Sequence, residues 1–175
     1  LLAQRRIMEL LGEPIGGWKA ALPQPRGLFV APLPASSIVS NSQCPILRHA
    51  GVLKIEPEIA FVIARDLPPR EIPYTESDAR EAIERAHVVL ELIGSRFADP
   101  NGVPFPDNLA DCIQNQALFV GPAVPGVFEK KLDGFRLKIS SPTDVVLERD
   151  VRHPNGHPLT PLVWLANFLS GRKET

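Results

Sequence analysis

Residues 52–67 read VLKIEPEIAFVIARDL, a run with the apolar content of a buried strand that nonetheless carries Glu56 and Glu58. Side chains two apart on a strand share a face. These carboxylates therefore project together, with Ala60 and Val62 beyond them, while Ile55, Pro57, Ile59 and Phe61 take the other face. Pro57 has no N–H to give to a ladder, which predicts an edge position or a bulge. A lone Glu-x-Glu leaves two readings open: a solvated face paired with Lys or Arg, or a cation site. An unpaired carboxylate in apolar surroundings takes up a proton or finds a cation. Glu91, within HVVLELI (87–93), puts a third carboxylate in a second apolar strand. An octahedral divalent ion with oxygen ligands, Mg²⁺ or Mn²⁺, satisfies three such groups and keeps about three of six positions for water or substrate. Zinc fits less well, because His49, His87, His153 and His157 show no ligand spacing and Cys44 and Cys112 lie far apart.

Working outward, residues 1–11 form a short amphipathic helix with Gly12 as its C-cap. WKAAL (18–22) and GLFVAP (27–32) are strand candidates, and 32–50 is a loop rich in Pro, Ser and Asn. Thr75-Glu76-Ser77-Asp78 has the form of a capping box. The helix behind it is expected to run to about His87 and to pass into the strand VVLELI. A turn-rich loop (98–108), a short helix around 107–114 and the strand ALFVG (117–121) follow. FRLKIS and DVVLERDV make a hairpin around Ser141-Pro142-Thr143, and Asn155-Gly156 marks a turn. Thr160 as N-cap, Pro161 at the first helical position and Gly171 beyond the end delimit a last helix with Trp164 on its apolar stripe. Strands outnumber helices in an irregular order, which defines an α+β, mostly β domain.

The composition narrows the function classes. The 175 residues suffice for one domain with a sizeable core, and the net charge of −1 gives no basic surface for nucleic acid. No apolar run approaches the roughly 20 residues that span a bilayer. The opening LLAQRRIMELLG does not read as a signal peptide, and two distant cysteines read as reduced thiols of a cytoplasmic protein. Nineteen prolines argue for many turns and against a helical bundle.

Five segments in order, GWKAAL, IEPEIAFVIARDL, VVLELIGSR, ADCIQNQALFVGP and GHPLTPLVWLANFLS, resemble the 2-keto-4-pentenoate hydratase / 4-oxalocrotonate decarboxylase family of the fumarylacetoacetate hydrolase superfamily. The resemblance covers nearly the whole chain. It implies a fumarylacetoacetate hydrolase-like mixed β-roll with peripheral helices, and a single catalytic domain over 1–175 lacking the family's terminal segments. It also implies Mg²⁺ or Mn²⁺ on Glu56, Glu58 and Glu91, and Lys19 as the active-site lysine that stabilises an enolate or relays a proton. Read without the family, Lys19 is an ordinary surface lysine. Gln114, Asn115 and Gln116 fall where the family approaches the substrate carboxylate, though a solvated helix end would look the same. Arg96 matches a family arginine and serves the site from behind or forms a structural ion pair. His157 caps or orients the last helix, and His87 is a boundary histidine.

The implied activity is hydration of a 2-hydroxy-2,4-dienoate, a small 2-oxo acid derivative from meta-cleavage of aromatics. Decarboxylation of a 4-oxalocrotonate-like acid, C–C hydrolysis of an acylpyruvate, or a non-catalytic partner role are the alternatives. The implied assembly is a homo-oligomer, or a complex with a paralogous decarboxylase. This chain departs from the family pattern at Ala20-Ala21-Leu22-Pro23, at 28–38, where an acidic residue is missing, and at Asp111-Cys112-Ile113-Gln114-Asn115.

Overall fold

The strand signals around Glu56 and Glu91 become neighbouring strands of one sheet in a computed structural model. The structure describes residues 1–25, 27–40, 44, 52–126, 128–129, 134–140 and 142–172. His49, most of the expected 32–50 loop beyond residue 40, and Ser141 of the hairpin turn lie outside the described residues. The chain is α+β and mostly strand, and it divides into two units, 1–62 with 85–124 and 63–84 with 125–175.

In the first unit, α1 (Leu2–Leu11) ends at Gly12, whose φ of 65° places it in the left-handed region that glycine adopts without strain. Buried Gln4 ties α1 down by donating to the carbonyls of Val30 (3.0 Å) and Leu109 (2.6 Å). β1 (Ile15–Gln24) and β2 (Gly27–Pro34) form an antiparallel pair with Lys19 opposite Ala31. A second sheet runs in the order β3 (Ile38–Val39), β6 (Asn115–Ala123), β5 (Ile83–Ile93), β4 (Lys54–Ile63). β4 is therefore an edge strand, as Pro57 requires. Its carboxylate-bearing face continues into Ala60, which packs against a core of Leu33, Val89 and Leu118. β5 lies between β4 and β6, with Glu91 opposite Leu118, and this buries Glu91.

The helix α2 (Glu76–Ala82) opens on the expected capping box, with Thr75 and Asp78 exchanging hydrogen bonds. It ends well before His87, however, and β5 takes residues 83–87. The apolar spacing of Ala79, Ala82, Ile83 and Ala86 is helical, but tertiary partners capture the backbone. The Ala82 carbonyl accepts from Ala64 (2.8 Å) and Arg65 (3.3 Å), and that of Ala86 accepts from Val124 (2.8 Å). The expected helix near 107–114 is α3 (Phe105–Ala110) followed by a turn at Cys112–Gln114. There three consecutive non-glycine residues stand at φ 52°, 57° and 60°. Left-handed backbone costs roughly 1–2 kcal/mol per residue. Cys112 belongs to a cluster with Met8 and Ala31, and Ile113 packs on it, which holds the turn in place.

In the second unit β7 (Gly134–Ser140) and β8 (Val145–Arg152) form the expected hairpin. The last helix, α4 (Leu159–Ser170), starts one residue before Thr160, so Thr160 is not its N-cap. Pro158 is the N-cap residue, and His157 just before it accepts from the Leu159 N–H (3.2 Å). Trp164 is half-buried and stacks on Phe168. Asn167 exchanges hydrogen bonds with the Tyr74 backbone, 2.7 and 2.9 Å, and Ser170 with that of Arg70. No helix among the described residues is long and apolar enough to cross a membrane.

Candidate metal centre

Glu56 and Glu58 on β4 and Glu91 on β5 each bring a carboxylate oxygen within 4.8 Å of the others. The set grades from exposed Glu56 through half-buried Glu58 to Glu91, which is 1% exposed. Adjacent strands with matched faces account for the convergence: the spacing of two puts Glu56 and Glu58 on one face, and β5 supplies Glu91 beside them. The group contains no histidine or cysteine.

Glu91 is held asymmetrically. Its Oε1 accepts from Lys19 Nζ on β1 and from Asn115 Nδ2 (2.8 Å) at the start of β6. Its Oε2 is buried and has no hydrogen-bond partner among the described residues. Glu58 is pushed up to about 7, chiefly by burial and then by the Glu91 and Glu56 charges, against the opposing pull of Lys19. Among the described residues, Lys19 does not offset the burial and the neighbouring charges that raise Glu58. A bare buried carboxylate oxygen, a carboxyl driven towards its neutral form and an all-oxygen donor set fit a hard divalent cation better than they fit thiolate- or imidazole-seeking metals.

The other residues singled out in the sequence make contacts of their own. Arg96 Nη1 pairs with Asp111 Oδ1 (2.8 Å) and its Nη2 donates to the Asn115 carbonyl (2.8 Å). Gln114 Nε2 donates to Asn108 Oδ1 (3.0 Å), and Gln116 Nε2 makes a longer contact to the Ile93 carbonyl (3.4 Å). Gly94 accommodates this arrangement, since a Cβ there would overlap the Gln116 amide. Lys19, Glu56, Glu58, Glu91, Arg96 and 114–116 all lie in the first unit. The contact between Lys19 and Glu91 has no signal in the spacing of the chain, because 72 residues separate the partners.

No family model matches the chain. A 2-keto-4-pentenoate hydratase of Paraburkholderia xenovorans (strain LB400) is 33% identical over 119 residues, covering 67% of this chain and 42% of the relative. The 2-keto-4-pentenoate hydratase 3 of Pseudomonas putida matches at the same identity and coverage. The 4-oxalocrotonate decarboxylase from Pseudomonas putida G7, solved with magnesium and adipate, superposes with a TM-score of 0.69 at 23% identity. That match covers 97% of this chain and 66% of the other. The same enzyme with calcium and acetate gives a TM-score of 0.68 at 24% identity.

The fold is thus α+β and mostly strand, with three carboxylates converging on neighbouring strands. The chain belongs to the 2-keto-4-pentenoate hydratase / 4-oxalocrotonate decarboxylase family. The chain spans about two-fifths of the length of the curated relatives it matches, 42%.

Proposed function

We propose that this chain is a divalent-metal-dependent hydratase acting on a 2-hydroxy-2,4-dienoate or the corresponding 2-oxo-4-enoate. The observation that carries the reading is the convergence of Glu56, Glu58 and Glu91 with one buried, unpartnered oxygen on Glu91. These three carboxylates would hold Mg²⁺ or Mn²⁺. When bound, the ion would act as a Lewis acid on the oxygens of a 2-oxo acid.

The side chains supply the rest. Lys19 is only 14% exposed, and its ammonium carries three donors. One is engaged by Glu91. The others can hold a proton at the C2 oxygen of the substrate and stabilise negative charge developing there. The apolar run of β5 around Glu91 limits water on the inner side of the site, while exposed Glu56 marks the side open to an incoming acid. Arg96 and the amides of Gln114 and Gln116 are the groups that this reading assigns to the substrate carboxylate. The same reading carries residues 1–175 as one catalytic domain, a fumarylacetoacetate hydrolase-like roll, a homo-oligomeric assembly and a cytoplasmic setting.

The test is loss of 2-hydroxypenta-2,4-dienoate by the folded chain with Mg²⁺ or Mn²⁺ and its absence with chelator. No turnover would overturn the substrate assignment. CO₂ release from a 4-oxalocrotonate-type acid without hydration would move the chain to the decarboxylase reaction that its structural relatives carry in name.

A further inference from the structure

Asn115 is 3% exposed, and its amide nitrogen is committed to Glu91 Oε1. A glutamate carboxyl turns freely about its last bond, so uneven donors decide which oxygen faces where. Two donors, Lys19 and Asn115, meet Oε1, and among the described residues none meets Oε2.

Asn115 is itself placed by an improbable piece of backbone. Cys112, Ile113 and Gln114 all adopt positive φ, which L side chains adopt only when their surroundings over-determine it. Those surroundings are visible. Arg96 grips the segment on both sides, through the Asp111 carboxylate before it and the Asn115 carbonyl after it. The Gln114 carbonyl accepts from the Gly94 N–H (2.8 Å), and its side chain donates to Asn108.

We propose that Asn115, carried on this Arg96-clamped left-handed turn, is a positioning residue that turns Glu91 so that its bare oxygen faces Glu56 and Glu58. The assignment rests on the metal reading above and gives Asn115 a task other than contact with substrate. Arg96 acts one step further back, by holding the turn.

Calorimetry with Mg²⁺ alone tests it on the wild-type chain, Asn115→Ala and the shape-preserving Asn115→Leu. Urea unfolding in chelator establishes that each variant is folded. Loss of a side chain that orients a metal ligand weakens metal binding about 10–100-fold, and that loss is expected here. Arg96→Ala, which leaves every carboxylate and Asn115 in place, is expected to weaken binding less, and it serves if both Asn115 variants fail to fold. A metal-free readout accompanies these: the Asn115 side-chain amide resonance is expected to shift in Glu91→Ala. Wild-type binding that persists unchanged in a folded Asn115 variant, or in Arg96→Ala where neither folds, would overturn this inference alone. Wild-type protein that binds no Mg²⁺ would overturn the metal reading and this inference with it.

Discussion

Replacing Glu58 by Gln is expected to stabilise the metal-free protein at pH 8 while crippling its metal site. Burial and the neighbouring Glu91 and Glu56 charges raise the Glu58 carboxyl from 4.5 to about 7. The folded state therefore binds more protons than the unfolded chain between those values. Stability falls as pH rises through this window and levels off above about 7. At about 1.4 kcal/mol per pH unit, the interval from 4.5 to about 7 amounts to about 3.5 kcal/mol. Gln resembles the neutral carboxyl and does not ionise, so Glu58→Gln escapes the loss. Urea unfolding in chelator should show variant and wild type nearly equal at pH 4.5, with the variant ahead by up to about 3.5 kcal/mol at pH 8. Saturating Mg²⁺ should reverse the order, because an ion present at about 1,000 times its Kd contributes about 4.1 kcal/mol to whichever protein binds it. A stability gap that is the same at both pH values would refute the claim that Glu58 is forced towards its neutral form.

Other outcomes follow from the same contacts. Lys19→Met removes a donor from Glu91 and the positive charge opposing the rise at Glu58; kcat is expected to fall roughly 10²–10⁴-fold, and metal-free Glu58 to titrate still higher, read by NMR. Glu91→Gln is expected to weaken Mg²⁺ binding by more than the roughly 10–100-fold of a supporting partner, measured by calorimetry. Thr75→Ala breaks the capping box of α2 and is expected to cost about 1 kcal/mol in urea unfolding without changing metal affinity. Asp78 is held below the usual carboxylate range by Arg70 and then Thr75, so its contribution is complete above pH 4 and lost as acid protonates it. Asp78→Asn should therefore flatten the acid limb of the stability profile.

Much of the site was legible because its logic is local. A spacing of two on a strand decides that Glu56 and Glu58 share a face, and an apolar run decides that Glu91 is buried; both follow from strand geometry and the cost of burying charge. Pro57 similarly announced the edge strand, since a missing N–H is a property of the residue. The hairpin β7–β8 and the capping box at Thr75 were equally readable from nearby residues.

Other features depended on partners far along the chain. The end of α2 at Ala82 was hidden because Ala79, Ala82, Ile83 and Ala86 suit a helix as well as they suit what formed; Ala64, Arg65 and Val124 decided it by claiming the carbonyls. Cys112-Ile113-Gln114 contains neither Gly nor Asn, so nothing local invites positive φ. The turn exists because Arg96, Gly94 and the Met8–Ala31 cluster outweigh its strain. Sequence by itself determined which residues carry charge into apolar strands, because that cost travels with the residue. Only the tertiary structure decided how that charge is met, with Lys19 and Asn115 on one oxygen of Glu91 and its other oxygen bare, because those donors come from strands that only folding makes neighbours.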